Sequence, residues 1–168
     1  EADLNLNLPK LKKYDLVTCL EVVEHLEEKR ANSFIKELTE LSNVVLFSAA
    51  IPGQEGTKHI NEQYLGYWIE KFDTNNFTCY DVVRPLIWDV KSVAWWFRQN
   101  TVLFISNDYE IEKDLTSLQS FNNFDLVQKD LLRYKDRKYY KLLHERDRHK
   151  RFIKRWIKKI INFFYEKK

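Results

Sequence analysis

The sequence predicts an α/β fold: a partial doubly wound, mostly parallel sheet with an antiparallel last strand, followed by C-terminal basic helices. Short apolar runs alternate with segments whose apolar residues recur at helical spacing, and this alternation is typical of parallel βαβ units. The charge is also divided unevenly. Residues 1–128 contain 12 Lys and Arg against 20 Asp and Glu, whereas residues 129–168 contain 16 against 5. This asymmetry indicates two modules.

The predicted elements follow one another as strand, helix, strand, helix, strand, strand. Residues 14–20 and 44–50 are compact apolar runs and predict the first two strands. Apolar residues at helical spacing predict helices over residues 28–42 and 62–73. Residues 77–84, which end before a proline, predict the third strand.

The last predicted strand covers residues 97–106, and two consecutive strands at the end of the sheet indicate an antiparallel addition. The Pro- and Gly-containing segment 52–56 predicts a loop after the second strand. Asn61 is a favoured residue type for the N-cap of the helix over 62–73. The aromatic group of Trp88, Trp95, Trp96 and Phe97 is expected to pack in the core, or to line a pocket for a sugar.

The chain is predicted to divide into an α/β domain over residues 1–107 and a helical, basic, amphipathic extension over 108–168. Within the extension, residues 150–164 place apolar side chains on one helical face and six Lys and Arg on the other. Such a helix can lie on an anionic membrane, bind nucleic acid, or pack on a neighbouring helix or subunit. Nucleic acid is the least favoured partner because phosphate binding does not require an apolar stripe.

Composition narrows the class of protein and its compartment. The 168 residues suffice for one domain with a substantial core, and no apolar run approaches the roughly 18 residues of a membrane span. The two cysteines, Cys19 and Cys79, are far apart in sequence, which favours reduced thiols and a cytoplasmic location. If residues 150–164 bind a membrane surface, the protein would be membrane-associated within the cytoplasm. The chain contains no methionine and begins at Glu1, so we expect it to be the later part of a longer protein.

Three segments resemble the carboxyl-terminal half of a class I S-adenosylmethionine-dependent methyltransferase: YDLVTCLEVVEHL at 14–26, VVLFSAAIPGQEGTKHINEQ at 44–63 and RPLIWDVKSVAWWFRQN at 84–100. The resemblance implies that the first two contain the family's fourth and fifth strands, and that the last two strands form its antiparallel hairpin. The family's glycine-rich loop is missing, since Gly53, Gly56 and Gly66 form no GxGxxG pattern. We therefore expect this chain, on its own, to bind S-adenosylmethionine weakly and to be inactive.

The same resemblance implies contacts with the cofactor S-adenosylmethionine. Asp3 and Leu4 match the acidic and apolar pair with which the family holds the adenine ring. Leu20 and Glu21 match the junction after the fourth strand, where the backbone meets the methionine end of the cofactor. These four residues are the predicted cofactor-binding residues.

A cluster of acidic and imidazole side chains follows the first predicted strand. Glu21, Glu24 and His25 lie at positions i, i+3 and i+4, and would share one face if the chain is helical there. His59 follows the second apolar run, so all four residues are expected beyond the carboxyl ends of strands, where α/β proteins place their sites.

This cluster has three interpretations. The four residues can bind a divalent metal ion: the oxygen ligands favour Mg²⁺ or Mn²⁺, and the imidazoles shift the choice towards Mn²⁺, Fe²⁺ or Zn²⁺. A similar ExxEH with a later His is the metal site of small-RNA 2′-O-methyltransferases. His25 and His59 can act as catalytic bases without a metal. Alternatively, Glu24 and His25 only cap the following helix and line the pocket.

The sequence thus predicts an S-adenosylmethionine-dependent methyltransferase that acts on a hydroxyl of a sugar or small metabolite. One alternative is a metal-dependent nucleic-acid 2′-O-methyltransferase. Another is a non-catalytic remnant of the fold that serves as a membrane or partner adaptor.

Overall fold

The structure is a computed structural model that describes residues 3–6, 8, 12–110 and 125–165, with side-chain surroundings described up to residue 157. The chain divides into two compact units, Glu1–Gln128 and Lys129–Lys168. The first unit is a mixed α/β domain, and the second is formed by one long helix.

The first unit contains four strands and four α-helices among its described residues. In chain order these are β1 (Val17–Leu20), α1 (Ala31–Leu41), β2 (Val44–Ser48), α2 (Leu65–Asp73), β3 (Phe77–Tyr80), α3 (Arg84–Ile87), α4 (Trp95–Asn100) and β4 (Val102–Ser106). Two 3₁₀ turns, Val23–His25 and Glu28–Arg30, lie between β1 and α1.

The four strands form one mixed sheet in the order β1-β2-β4-β3. β1 and β2 are parallel, with Leu20 opposite Ser48, and α1 forms the crossover between them. β4 lies between β2 and β3 and is antiparallel to both. The predicted α/β class and one parallel pair are therefore confirmed. The prediction of a mostly parallel sheet is wrong for the described residues, because β4 pairs antiparallel with both of its neighbours and only β1 and β2 are parallel.

The core lies on the sheet and is rich in aromatic side chains. Phe47 of β2, Phe72 of α2 and Phe104 of β4 are fully buried, and the rings of Phe72 and Phe104 stack with centroids 3.7 Å apart. Trp68 of α2 also belongs to this group, and its ring centroid lies 5.7 Å from that of Phe47. Alternate residues of β2 and β4 face this core, as the period of two along a strand requires.

The predicted bounds of several elements are wrong. β1 begins at Val17 instead of residue 14, because the Tyr14 N–H donates to the carbonyl of Leu41 and lies outside the sheet register. α2 begins at Leu65, and its N-cap is Tyr64, so Asn61 does not cap it. β3 ends at Tyr80, because the chain turns there into α3.

The strand predicted over residues 97–106 divides into α4 and β4. The helical turn buries three polar side chains, Arg98, Gln99 and Asn100, and gives each a partner within the unit. Arg98 donates to the carbonyls of Val93 and Trp88. An extended backbone would send successive side chains to opposite faces, whereas the helix turn directs these three groups to different partners.

The aromatic group predicted for the core does not form it. Trp88, Trp95 and Phe97 are half-buried and Trp96 is exposed, whereas the fully buried tryptophan is Trp68. The hydrogen bonds of the neighbouring polar residues fix the orientation of α4, and its aromatic side chains consequently lie nearer the surface.

A buried ion pair joins the end of β3 to α3. Both Asp81 and Arg84 are almost fully buried, and the guanidinium donates to both carboxylate oxygens at 2.7 Å. A planar guanidinium matches a carboxylate in this two-point geometry. Each charge therefore compensates the other inside the domain.

The second unit is α5 (Lys129–Tyr165), which confirms a helix at the carboxyl end. Phe152, Ile153, Trp156 and Ile157 are all exposed, with Trp156 exposing 60% of its surface. Among the helices that the structure describes, none is both long enough and apolar enough to cross a bilayer. The predicted extension over 108–168 also includes residues 111–124, which lie outside the described residues.

Phe72→Ala should lower the free energy of unfolding by about 3–5 kcal/mol, because it removes a stacked ring from a fully buried position. Urea denaturation followed by far-UV circular dichroism would measure the change. Phe152→Ala makes the same chemical change at an exposed site and should alter stability by less than about 0.5 kcal/mol. Equal losses in the two variants would contradict the assigned core.

Candidate functional site

The candidate site lies beyond the carboxyl ends of the parallel strands β1 and β2. Glu21 follows β1 directly and has a φ of 53°, which is rare for a residue with a side chain. Its N–H donates to both the carbonyl and the Oγ of Ser48, each at 3.0 Å, so the end of β2 holds this turn. Backbone in this conformation costs about 1–3 kcal/mol and occurs preferentially at functional sites.

Glu24, His25 and His59 come together at this edge. One potential ligand atom from each residue lies within 4.8 Å of those from the other two. The two imidazole rings meet edge to face, with centroids 4.8 Å apart. Glu24 is fully buried, His59 is half-buried and His25 is exposed, so the cluster extends from the interior to the surface.

The segment between β2 and α2 brings His59 to the cluster. The N–H groups of Ile60 and Asn61 both donate to the carbonyl of Glu24, at 2.9 and 3.0 Å. Farther along, the N–H of Gln63 donates to the carbonyl of Ala50. The loop is therefore fixed to the turn after β1 by backbone hydrogen bonds, which do not depend on side-chain identity.

Glu62 fixes the orientation of His59. One carboxylate oxygen lies 2.9 Å from His59 Nδ1, and the other accepts from the N–H of Gly53 at 2.7 Å. In a neutral ring the proton then resides on Nδ1, which leaves the lone pair on Nε2. His25 has the same arrangement, with Nδ1 located 3.2 Å from the carbonyl of Lys58.

Gly56 is required by the close approach of His59. A Cβ at this position would lie 2.1 Å from Nε2 and 2.3 Å from Cε1 of the His59 ring. Both distances are far shorter than van der Waals contact, so any side chain at residue 56 would displace the imidazole. The glycine therefore determines where His59 can lie.

The Glu24 carboxylate is buried next to the two imidazoles. Among the described residues, neither of its oxygens has a partner in hydrogen-bonding geometry. Burial raises the pKa of Glu24 from its ordinary 4.5 to about 7. The nearby amides of Glu24 itself and Ala50 and the His59 ring oppose the rise in pKa, whereas the charge of Glu21 adds to it.

Glu21 does not join the cluster, contrary to its prediction as a fourth metal ligand. Its carboxylate accepts from Gln54 Nε2 at 2.7 Å and from Asn100 Nδ2 at 3.2 Å. The 3₁₀ turn begins only at Val23, so Glu21 and Glu24 do not share the face of one helix. The predicted group of four residues is thus reduced to Glu24, His25 and His59.

The predicted cofactor residues lie in two places. Leu20 is the last residue of β1, and Glu21 follows it directly. Asp3 is exposed, and its carboxylate accepts from the N–H of Asn5. The carbonyl of Leu4 accepts from Arg30 Nε. Among the described contacts, none links Asp3 or Leu4 to the cluster.

Four residues of the site were not predicted: Gln54, Gly56, Glu62 and Asn100. The His59-x-x-Glu62 spacing is a signal that reasoning from the sequence missed, since it pairs an imidazole with a carboxylate. Asn100 was assigned to a strand, and its bonds to Gln54 and Glu21 connect segments too distant in sequence for any local pattern to reveal.

Comparison of the chain with known protein families, with curated proteins and with solved structures finds no match. A functional assignment must therefore be argued from the residues of the site and from the sequence motifs that place them there.

Glu24→Gln should stabilise the metal-free protein above neutral pH and have little effect at acidic pH. Between pH values near 4.5 and 7 the folded state retains a proton on Glu24 that the unfolded state has released, so stability falls as the pH rises. The variant removes this loss, which amounts to at most about 3 kcal/mol. Urea denaturation in EDTA across this pH range would measure it.

Glu40→Gln is a matched control, because it makes the same chemical change at an exposed position. If the free energy of unfolding of Glu24→Gln varies with pH as that of wild type does, the description of Glu24 as a buried carboxylate with a raised pKa is wrong.

Proposed function

We propose that this chain is the carboxyl-terminal half of a class I S-adenosylmethionine-dependent methyltransferase, which methylates a hydroxyl of a sugar or small metabolite. The observation that carries the proposal is the convergence of Glu24, His25 and His59 beyond the ends of β1 and β2. Functional sites of open α/β sheets lie at this edge. All three segments that resemble the family contribute to it, the third through the bond from Asn100 to Glu21.

His59 is the better placed of the two candidate bases. Its Nε2 carries the lone pair, and Glu62 at Nδ1 would stabilise the imidazolium that forms when the ring accepts a proton. If bound S-adenosylmethionine supplied the methyl group, Nε2 would accept the proton that the acceptor hydroxyl loses as its oxygen takes the methyl carbon and the carbon–sulfur bond breaks. His25, more exposed, would position the acceptor or share the proton.

Bound S-adenosylmethionine would supply an electrophilic methyl group at this edge. Following the resemblance, Leu20 and Glu21 would contact its methionine end, while Asp3 and Leu4 would contact the adenine. Glu21 fits such a role because two amide side chains hold its carboxylate in place before any ligand arrives. The full-length protein is the appropriate sample, because these 168 residues contain no glycine-rich loop for the cofactor.

His59→Ala in the full-length protein should reduce methyl transfer by about 10²–10⁴-fold, the usual contribution of a general base, while leaving binding of S-adenosylmethionine intact. Release of S-adenosylhomocysteine, assayed with a panel of sugar and small-metabolite hydroxyl acceptors, would measure the rate, and calorimetry would measure cofactor binding. His144→Ala, which removes an exposed imidazole in α5, is the matched control and should retain full activity.

Folded full-length protein that produces no heat with S-adenosylmethionine would contradict the proposed class of enzyme. Equal rates for His59→Ala and wild type would instead contradict only the assignment of His59 as the base.

A metal-dependent nucleic-acid 2′-O-methyltransferase is the alternative enzyme. The Glu24 carboxylate favours it, because it is buried next to two imidazoles and has no hydrogen bond within the described part of the chain. A cation held by these residues would lower the pKa of a ribose hydroxyl and orient it. The two proposals differ in one measurable respect: EDTA should abolish methyl transfer by the metal-dependent enzyme, and Mn²⁺ should restore it.

We also propose that residues 150–164 adsorb to anionic membrane surfaces. In α5 the exposed apolar side chains of Phe152, Ile153 and Trp156 alternate with Arg151 and Arg155. This combination suits a helix that inserts its apolar face among lipid headgroups while its cations contact the phosphates. A non-catalytic adaptor would have this property without binding S-adenosylmethionine.

The protein should sediment with vesicles of mixed phosphatidylserine and phosphatidylcholine, and be released by high salt because the attraction is partly electrostatic. The double variant Arg151→Glu/Arg155→Glu should remain in the supernatant, whereas Arg133→Glu, earlier in α5, should still sediment. Equal binding to pure phosphatidylcholine would contradict the electrostatic part of the proposal, and absence of binding would contradict all of it.

A further inference from the structure

A series of buried amide groups leads through the domain to the Glu21 carboxylate. The N–H of Gln128 donates to Gln99 Oε1 at 2.7 Å, and Gln99 Nε2 donates to Asn100 Oδ1 at 3.0 Å. Asn100 Nδ2 then donates to Glu21 Oε1 at 3.2 Å. The first three residues, called here the amide relay, are almost fully buried, whereas Glu21 is half-buried. The relay thus connects the interior of the domain to a residue that a ligand can reach.

A second, shorter branch holds the other oxygen of the same carboxylate. The N–H of Ile51 donates to Gln54 Oε1 at 3.4 Å, and Gln54 Nε2 donates to Glu21 Oε2 at 2.7 Å. Asn100 Nδ2 also donates to Gln54 Oε1 at 2.8 Å, which joins the two branches. Both oxygens of Glu21 therefore accept hydrogen bonds from amide side chains whose own positions are fixed by other groups.

The two ends of the relay determine the direction of every hydrogen bond in it. A backbone N–H can only donate, and an ionised carboxylate can only accept. Gln99 must therefore turn its oxygen towards the N–H of Gln128, and its NH₂ group is left for Asn100. A flipped amide would bring two donors or two acceptors together inside the domain, where an unmade hydrogen bond is costly. The orientation of Asn100 towards Glu21 is thus decided by residues that do not touch Glu21.

We propose that Gln99 is a positioning residue, which acts through Asn100 to hold the Glu21 carboxylate in place for a cationic group of the cofactor. The inference rests on the proposed function, in which Glu21 contacts the methionine end of S-adenosylmethionine. That end of the cofactor carries an ammonium group, which forms short, charge-assisted hydrogen bonds with carboxylates.

The physical basis of this role is preorganisation. An ionised carboxylate has about four acceptor positions, so the two amides that hold Glu21 leave positions for an incoming donor. A side chain that is fixed before the ligand arrives loses less conformational freedom on binding, which raises the affinity. Gln99 therefore contributes to cofactor affinity without contacting the cofactor.

Gln99→Met in the full-length protein should weaken binding of S-adenosylmethionine by about tenfold, close to the value of one net hydrogen bond. Methionine has a similar size but no amide, so it cannot transmit the orientation from Gln128 to Asn100. Calorimetry would measure the dissociation constant. Steady-state kinetics should show a raised KM for S-adenosylmethionine with kcat changed by less than about twofold, because the lost interaction serves ground state and transition state alike.

Two further variants make the test specific. Asn107→Met makes a comparable change at an exposed amide that bonds to Asn76, at the opposite edge of the sheet, and should bind S-adenosylmethionine as wild type does. Gln99→Glu still accepts from Gln128 but, when ionised, cannot donate to Asn100, so it should also weaken binding. It replaces Gln99→Met if thermal unfolding shows that the methionine variant does not fold.

A double-mutant cycle separates this role from a merely structural one. Glu21→Gln should itself weaken binding of S-adenosylmethionine. If Gln99 acts through Glu21, adding Gln99→Met to Glu21→Gln should weaken binding by less than about twofold more. Fully additive losses in the double variant would overturn the proposal, because they would show that Gln99 acts independently of Glu21.

Failure of this inference and failure of the proposed enzyme give different results. Folded, full-length wild-type protein that produces no heat with S-adenosylmethionine contradicts the proposed function and, with it, the role of Gln99. Wild-type protein that binds S-adenosylmethionine, together with Gln99→Met protein that binds it equally well, contradicts the role of Gln99 alone.

Discussion

The candidate site depends on the pair of hydrogen bonds that the carbonyl of Glu24 accepts from Ile60 and Asn61. They attach the loop after β2 to the turn after β1, and thereby place His59 beside His25. Because β1 and β2 are parallel neighbours, both connections leave the sheet at the same edge. The parallel pairing brings the two segments close, and the backbone bonds to one carbonyl fix their separation.

A second layer of contacts holds the surroundings of the cluster. Glu21, Gln54 and Asn100 form a closed set of side-chain hydrogen bonds that spans three separate segments of the domain. Buried polar networks of this kind specify one arrangement, because each unsatisfied member would be costly. This layer explains two differences from the predicted structure: α4 replaces the start of a strand, and Glu21 is kept apart from the cluster of Glu24, His25 and His59.

The site combines an imidazole, His59, whose position is fixed with a carboxylate, Glu24, whose protonation state can change. His59 is held by Glu62 on one side and by the close approach of Gly56 on the other. Glu24 has a buried carboxylate whose pKa of about 7 allows either protonation state near neutrality. A positioned imidazole beside such a carboxylate is compatible both with proton transfer and with binding of a cation, and the two uses share the same residues.

By itself the sequence determined the class of fold, the order of the main elements and the identity of Glu24, His25 and His59 as the groups of interest, since apolar spacing and strand ends are local properties that a pattern reveals. The tertiary structure alone decided which polar groups meet. It paired Glu21 with Gln54 and Asn100, assigned Glu62 to His59, and gave the Glu24 carboxylate no hydrogen bond among the described residues, because hydrogen bonds between distant segments depend on how the sheet brings those segments together.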